Sequence, residues 1–145
     1  MINLGSREIK IITFLRRQAI EVEPVRGAKI AAAIVFKNDI ISIGKNQMKT
    51  DPFQAKFSSN PESIFLHAEI SAIKGALYHL ELSELKKSSL YIYRIKRPMA
   101  NHKGKWITGS AKPCEGCLGA ITEFEIPKVV FTTDENDIFE ILSNK

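Results

Sequence analysis

The sequence predicts a three-layer α/β/α fold built on a mixed sheet whose first two strands are antiparallel. Three patterns carry this prediction: an amphipathic helix at 6–22, two apolar runs around a short polar turn at 28–44, and alternating helices and strands after residue 65. Helices that alternate with strands cover both faces of a sheet, which gives three layers. The 145 residues match one average domain, so we expect a single domain over 1–145.

The first predicted helix follows from hydrophobic residues at helical spacing. Residues 6–22 are long enough for about four turns, and Ser6 is a suitable N-cap. The side expected to face the sheet consists of Ile9, Ile12, Arg16 and Ala19.

A β-hairpin and a long loop are predicted next. The apolar run 28–36 is followed by the polar pair Asn38-Asp39 and then by a second run that ends at Gly44, which is typical of two strands joined by a tight turn. The polar stretch 46–60 indicates a loop, and loops of this length in compact domains usually carry function.

The second half of the chain alternates between helix and strand patterns. The predicted elements are a helix over 65–80 that starts near His67, a strand over 88–95, a loop over 96–112, a helix over 114–124 and a strand over 128–133. Pro113 stands at the start of the third helix, where a missing N–H carries no penalty. Residues 134–144 fit either a short helix or a strand.

Composition limits the class of protein. Hydrophobic residues make up 44% and charged residues 26% of the chain, as in ordinary globular proteins. The chain has no long charge-free apolar run, and charges interrupt the N-terminal stretch throughout, so we expect neither a transmembrane helix nor a signal peptide, and a cytoplasmic location. The net charge of +5 suggests a phosphate-bearing partner, although a plain basic surface would give the same value.

The two cysteines, Cys114 and Cys117, are too few and too close together to staple a secreted fold, which leaves redox chemistry or a metal. In a redox pair, Cys114 would be an activated thiol at a helix N-terminus. His67 would instead complete a set of three zinc ligands, with water, His79 or His102 in the fourth position. An open fourth position is typical of catalytic zinc.

Glu69 favours the catalytic alternative. A carboxylate two residues after the ligand His67 can face the open position and act as a general acid and base. The simpler interpretation is a capping carboxylate beside a half-buried imidazole. The combination of H-x-E at 67–69 with P-C-x-x-C at 113–117 is the signature of zinc deaminases.

On these residues the sequence resembles the cytidine/deoxycytidylate deaminase superfamily, and within it the deoxycytidylate branch most. The resemblance spans about residues 28–132: "AAAIVFKNDIISIGKN" is similar to the family's first hairpin, "HAEISAIKGAL" and "PCEGCLGAITEF" to its two zinc helices, and "LYIYRI" to its third strand. It implies a cytidine deaminase-like fold. It also implies a homo-oligomer, because members of the family commonly assemble as dimers or larger oligomers.

The resemblance also implies roles for individual residues. Glu69 would be the proton shuttle, Asn46 would hold the sugar or base, and Ala68 would offer its backbone N–H to a carbonyl of the base. The implied reaction is hydrolytic deamination of a cytosine nucleotide of the dCMP or CMP type, in which zinc-bound hydroxide attacks and ammonia leaves. The implied Zn²⁺ ligands are His67, Cys114 and Cys117.

Substrate selection is expected from the stretch 94–112, which holds six Lys/Arg and no acidic residue just before the cysteines. Such a segment suits a nucleotide phosphate or a polynucleotide backbone, and Trp106 could stack on a base. A solvated basic loop is the simpler alternative. The predicted substrate contacts in this stretch are His102, Trp106, Ser110 and Lys112.

Two further functions remain open from the sequence. A single-stranded DNA or RNA cytosine deaminase would use the same site on an extruded base. A catalytically silent module on the same scaffold would bind nucleic acid without turnover, although it would have no need for Glu69.

Overall fold

The computed structural model of the chain describes residues 4–21, 29–47, 52–57, 67–96, 107–135 and 139–143. The elements, in chain order, are α1 Ser6–Ile20, β1 Lys29–Phe36, β2 Asp39–Lys45, α2 Pro52–Phe57, α3 Ala68–Ala76, α4 Leu82–Leu85, β3 Ser89–Lys96, β4 Ile107–Thr108, α5 Glu115–Glu123, β5 Lys128–Thr132 and β6 Phe139–Ser143. None of the helices within these ranges is long and apolar enough to cross a membrane.

The strands form one mixed sheet in the order β2-β1-β3-β5-β6, with the short β4 paired to β3. β3 and β5 are parallel, whereas the other pairs are antiparallel, including the β1–β2 hairpin. α1 packs on one face of the sheet through one apolar cluster, and α3 and α5 contribute to a second cluster on the other face. The predicted α/β/α layers with an antiparallel first hairpin are therefore confirmed.

The first helix faces the sheet with a set of residues that agrees only in part with the one predicted. Ile12 and Ala19 are buried as predicted, but Ile9 is 51% exposed and Arg16 is also exposed. The reason is that the buried stripe is rotated toward Leu15 and packs in one cluster with Tyr91 and Tyr93 of β3. The buried side chains of α1 are Ile11, Ile12, Leu15 and Ala19. The N-cap is Gly5 rather than Ser6, and its N–H donates to Glu8.

The hairpin turn lies one residue earlier than predicted. Lys37 and Asn38 have φ values of 51° and 66°, as in the two-residue turns whose twist matches that of paired strands. Asp39 therefore belongs to β2 and pairs with Phe36.

Three short elements were not predicted: α2 and β4 lie inside predicted loops, and α4 lies between the predicted helix 65–80 and the predicted strand 88–95. The predicted loop 46–60 contains α2, which starts at Pro52. The predicted helix 65–80 ends at Ala76, and α4 follows after a turn. β4 lies inside the predicted loop 96–112. Each has only a few residues, so hydrophobic periodicity gives almost no signal for it. The undecided C-terminal segment forms β6.

α3 approaches β2 so closely that only glycine fits at residue 44. A Cβ atom at Gly44 would lie 2.2 Å from the carbonyl oxygen of Ala68 and 2.5 Å from the backbone nitrogen of Ala72. The Ser42 hydroxyl donates a hydrogen bond to the Ala72 carbonyl from the same strand. The first turns of α3 are thus fixed against β2 through backbone atoms.

We expect Gly44→Ala to lower the free energy of unfolding by roughly 1–3 kcal/mol, because the added methyl group must displace helix backbone. Urea unfolding measures the change. Gly119→Ala is the matched control, since a Cβ there meets nothing within 4 Å and the residue is inside α5. That variant should gain about 0.5–1 kcal/mol from helix propensity. Equal stability of the two variants would contradict the tight packing at Gly44.

Glu8 ties α1 to the sheet. The Tyr91 hydroxyl donates to its Oε2 at 2.8 Å, and the Lys128 ammonium lies 3.3 Å from the same oxygen. Burial of Glu8 opposes ionisation, but the hydrogen bonds from Tyr91 and Gly5 and the charge of Lys128 outweigh it, so the pKa of Glu8 is lowered. The ionised carboxylate is therefore the form that stabilises the fold.

Glu8→Gln should destabilise the protein at pH 7 by about 1–2 kcal/mol through loss of charge-assisted hydrogen bonds. Because the folded pKa of Glu8 is depressed, its contribution is present above the unfolded pKa and is lost as pH falls through the folded pKa. Urea unfolding at pH 7 and at about pH 3 should therefore show a difference between wild type and variant that shrinks in acid. Glu21→Gln, at a mostly exposed side chain 4.0 Å from Lys45, should change little at either pH.

Candidate active site

The starts of α3 and α5 bring the two halves of the predicted metal site together. His67 is the N-cap of α3, Cys114 is the N-cap of α5, and Cys117 lies buried in the first turn of α5. Pro113 thus precedes the N-cap instead of occupying the first helical position. The Nδ1 atom of His67 is 3.4 Å from the Cys117 Sγ and 3.6 Å from the Cys114 Sγ.

These separations fit a zinc ion. Tetrahedral zinc with N and S ligands at their usual bond lengths would hold an imidazole nitrogen and a thiolate about 3.6 Å apart. The ligand atoms of His67, Cys114 and Cys117 all lie within 4.8 Å of one another. Three nitrogen and sulfur atoms that converge on one point are the ligand set of a zinc site, so the geometry favours the metal site.

The fourth position of this site is not filled by the histidines considered from the sequence. His79 is exposed in the turn after α3, at the opposite end of that helix from His67. His102 lies outside the described residues. Within the described part of the chain the ligand cluster therefore consists of three residues, as in catalytic zinc sites that keep one position for water or substrate.

His67, Cys114 and Cys117 are coupled to one another by hydrogen bonds, and a bound Zn²⁺ would displace the protons in these bonds. Hydrogen bonds from Cys117 and His67 hold the pKa of the Cys114 thiol far below its usual range. The same bond to Cys114, together with burial, raises the pKa of Cys117. The hydrogen bond to Cys114 also raises the pKa of His67 despite partial burial. A metal bound here would displace these protons and stabilise both thiolates.

Glu69 is a buried carboxyl group that lines the same cavity as His67 and Cys114. It is 6% exposed, and its Oε1 has no hydrogen-bond partner among the described residues. Burial raises the pKa of Glu69, which suits a group that must both accept and donate a proton near neutral pH. A hydrogen bond from its own backbone N–H in the first turn of α3 opposes the effect of burial, so Glu69 also contributes to the start of this helix.

A cavity of about 350 Å³ connects these groups with several of the predicted substrate contacts. Asn46 lies on its wall and accepts a hydrogen bond from the Ile30 N–H at 2.9 Å, which fixes the end of the hairpin. Ala68 is fully buried and is not among the residues on the wall. Trp106, like His102, lies outside the described residues. The lining residues are Ile30, Asn46, His67, Glu69, Ile92, Arg94, Ser110, Ala111, Lys112 and Cys114.

Two polar residues at the site were not singled out from the sequence. Gln54 of α2 is 1% exposed and accepts a hydrogen bond from the His67 backbone N–H at 3.0 Å, so the unpredicted helix supports a ligand. No feature of the sequence distinguishes Gln54 from the other polar residues of the predicted loop 46–60. Arg94 lies on the cavity wall; from the sequence it was noted only as the first residue of the basic stretch 94–112, although its charge inside the apolar strand "LYIYRI" sets it apart.

The fold is shared with solved deaminases. A cytidine deaminase from Burkholderia pseudomallei matches with a TM-score of 0.63 at 16% identity, over 94% of this chain and 91% of that chain. A dCMP deaminase from the cyanophage S-TIM5, solved with dCMP and dUMP, matches with a TM-score of 0.55 at 21% identity, over 89% of this chain and 83% of that chain. No curated protein sequence matches significantly.

The family profile called "Cytidine and deoxycytidylate deaminase zinc-binding region" matches residues 8–133, a range that includes both ligand motifs. Its zinc cofactor agrees with the cluster of His67, Cys114 and Cys117 found in the structure. The chain therefore belongs to the cytidine and deoxycytidylate deaminase family of zinc-dependent enzymes.

Proposed function

We propose that this deaminase converts a cytosine nucleotide of the dCMP or CMP type into the uracil nucleotide and ammonia. The observation that carries the proposal is the placement of the buried Glu69 carboxyl on one cavity wall with His67 and Cys114. A proton-transfer group beside a three-ligand metal site is the arrangement that hydrolytic deamination needs.

Each residue then has a defined task. His67, Cys114 and Cys117 would hold Zn²⁺, which when bound supplies an activated water as nucleophile. Glu69 would take one proton from the attacking water and deliver it to the ring nitrogen, and would then carry the second water proton from the new hydroxyl to the amine. The C–O bond would form first, and the C–N bond would then break with release of ammonia. Asn46 on the wall would hold the sugar or base, and the buried Ala68 would offer its N–H to a base carbonyl.

Positive charge on the cavity supports a nucleotide in preference to a nucleoside. Lys112 is exposed on the cavity wall, and Ser110 and Arg94 line the same space. Glu69 is the one acidic residue among the lining residues described, so an anionic substrate meets more positive than negative charge there. Homo-oligomeric assembly and a cytoplasmic location, both expected from the sequence, stay predictions.

Glu69→Gln should retain one zinc per chain and lower the rate of ammonia release by roughly 10²- to 10⁴-fold, because the amide cannot shuttle protons. Metal analysis and an ammonia assay on the zinc-loaded protein measure the two quantities. Glu123→Gln serves as the matched control, since that carboxylate is half exposed on α5 and pairs with Lys56. Undiminished turnover in Glu69→Gln would remove this residue from the mechanism.

The substrate class is tested by ammonia release from dCMP, CMP, deoxycytidine, cytidine, adenosine, guanosine and cytosine-containing single-stranded oligonucleotides. We expect the highest kcat/KM with a cytosine monophosphate, because the cavity carries Arg94 and Lys112. Equal kcat/KM for nucleotide and nucleoside would reject the phosphate preference. Turnover of oligonucleotides alone would identify a nucleic-acid deaminase. No turnover from zinc-loaded protein on any compound would contradict the proposed reaction.

A further inference from the structure

Arg94 is the single cation that β3 directs toward the candidate active site. Side chains alternate along the strand: Leu90 and Ile92 join the core beneath α3 and α5, whereas Tyr91 and Tyr93 join the core beneath α1. Arg94 continues the row of Leu90 and Ile92, and it lines the cavity together with Ile92. An apolar row thus ends in a guanidinium at the wall of the substrate space.

The guanidinium is held in place before any ligand arrives. One of its terminal nitrogens donates to the Ser110 carbonyl at 2.9 Å. Gly109 packs against the side chain, since a Cβ on this glycine would lie 3.3 Å from the Arg94 Cδ and 3.4 Å from its Nε. The Arg94 backbone N–H donates to the Thr132 hydroxyl at 3.1 Å. These contacts limit the freedom that an arginine would otherwise lose on binding.

No carboxylate in the described part of the chain forms a salt bridge with Arg94, and Asp134 interacts with it only through longer-range charge attraction. Its Nε is buried without a hydrogen-bond acceptor there. The carboxylate of Asp134, close to this strand end, pairs with Lys96 at 3.1 Å. Part of the half-buried guanidinium is thus out of contact with water and with any carboxylate, and an anion in the cavity would offset the desolvation of that part.

We propose that Arg94 binds the phosphate of a nucleoside monophosphate and so sets the preference of this enzyme for nucleotides over nucleosides. The inference rests on the proposed function, and it assigns the discrimination to a fixed residue of the sheet. A planar guanidinium suits a phosphate because it can donate two parallel hydrogen bonds. Lys112, which is exposed, would add charge at the entrance without fixing geometry.

The test measures binding instead of turnover. Calorimetric dissociation constants are determined for CMP and cytidine, and for AMP and adenosine, with zinc-loaded protein carrying Glu69→Gln so that no ligand is converted. Adding Arg94→Gln should weaken binding of the monophosphate by about 10- to 100-fold and change nucleoside binding less than about threefold. Lys86→Gln is the control, because it removes one positive charge from an exposed ion pair with Glu125 outside the cavity lining, and it should leave both constants nearly unchanged.

Other outcomes would overturn the proposal. Equal losses for CMP and cytidine would place Arg94 against the base or sugar, and no loss for either would make it structural. If Arg94→Gln fails to fold, Arg94→Lys replaces it and should lose part of the monophosphate preference, since an ammonium cannot donate the paired bonds. A protein with intact Arg94 that binds no monophosphate more tightly than its nucleoside also refutes the proposal. An Arg94-dependent preference for AMP without cytosine turnover would keep this inference and reject the proposed reaction.

Discussion

The backbone contact between α3 and β2 at Gly44 is the constraint on which the candidate site depends. Because residue 44 has no side chain, the Ala68 carbonyl and the Ala72 nitrogen can rest directly on the strand. His67 and Glu69 flank Ala68, so a candidate metal ligand and the proposed proton-transfer group are positioned by an edge strand of the sheet. Gln54 adds a second support by accepting the His67 N–H from α2. Packing and hydrogen bonding between β2, α2 and α3 therefore position the site residues as well as stabilise the fold.

The cysteine half of the site is anchored independently, on the other side of β3. The Thr132 hydroxyl donates to the Gly109 carbonyl at 2.7 Å, and the Ala111 N–H donates to the Thr132 carbonyl at 2.9 Å. These bonds hold the segment that leads into Cys114 against β5. Two helices thus reach a common point from separate anchors on one sheet, and their N-termini direct partial positive charge toward the thiolates. This arrangement fixes three ligands without any direct covalent link between the two motifs.

Two groups of residues with different electrostatic properties line the cavity. Near the ligands, burial raises the pKa of Glu69 and prepares it for proton exchange. Farther along, Arg94 and Lys112 provide positive charge, and only Arg94 is fixed by the surrounding backbone. A substrate that is neutral at its reacting base and negative at its phosphate would match both regions. The neighbours of known structure include enzymes named for a nucleoside and for a nucleotide, so the shared fold leaves this choice to side chains.

The sequence by itself determined the layered fold, the hairpin and the three candidate zinc ligands, and it singled out Glu69 beside them, because hydrophobic periodicity and short motifs are local properties of the chain. It misplaced the buried face of α1 and the hairpin turn, and it missed α2, α4 and β4, since a one-residue rotation or a short element leaves little periodic signal. Only the tertiary structure decided that Gly44 seats α3, that Gln54 supports His67 and that Arg94 faces the cavity. Those contacts join residues that are far apart in the chain. They depend on the packing between helices and strands, which no local sequence pattern encodes.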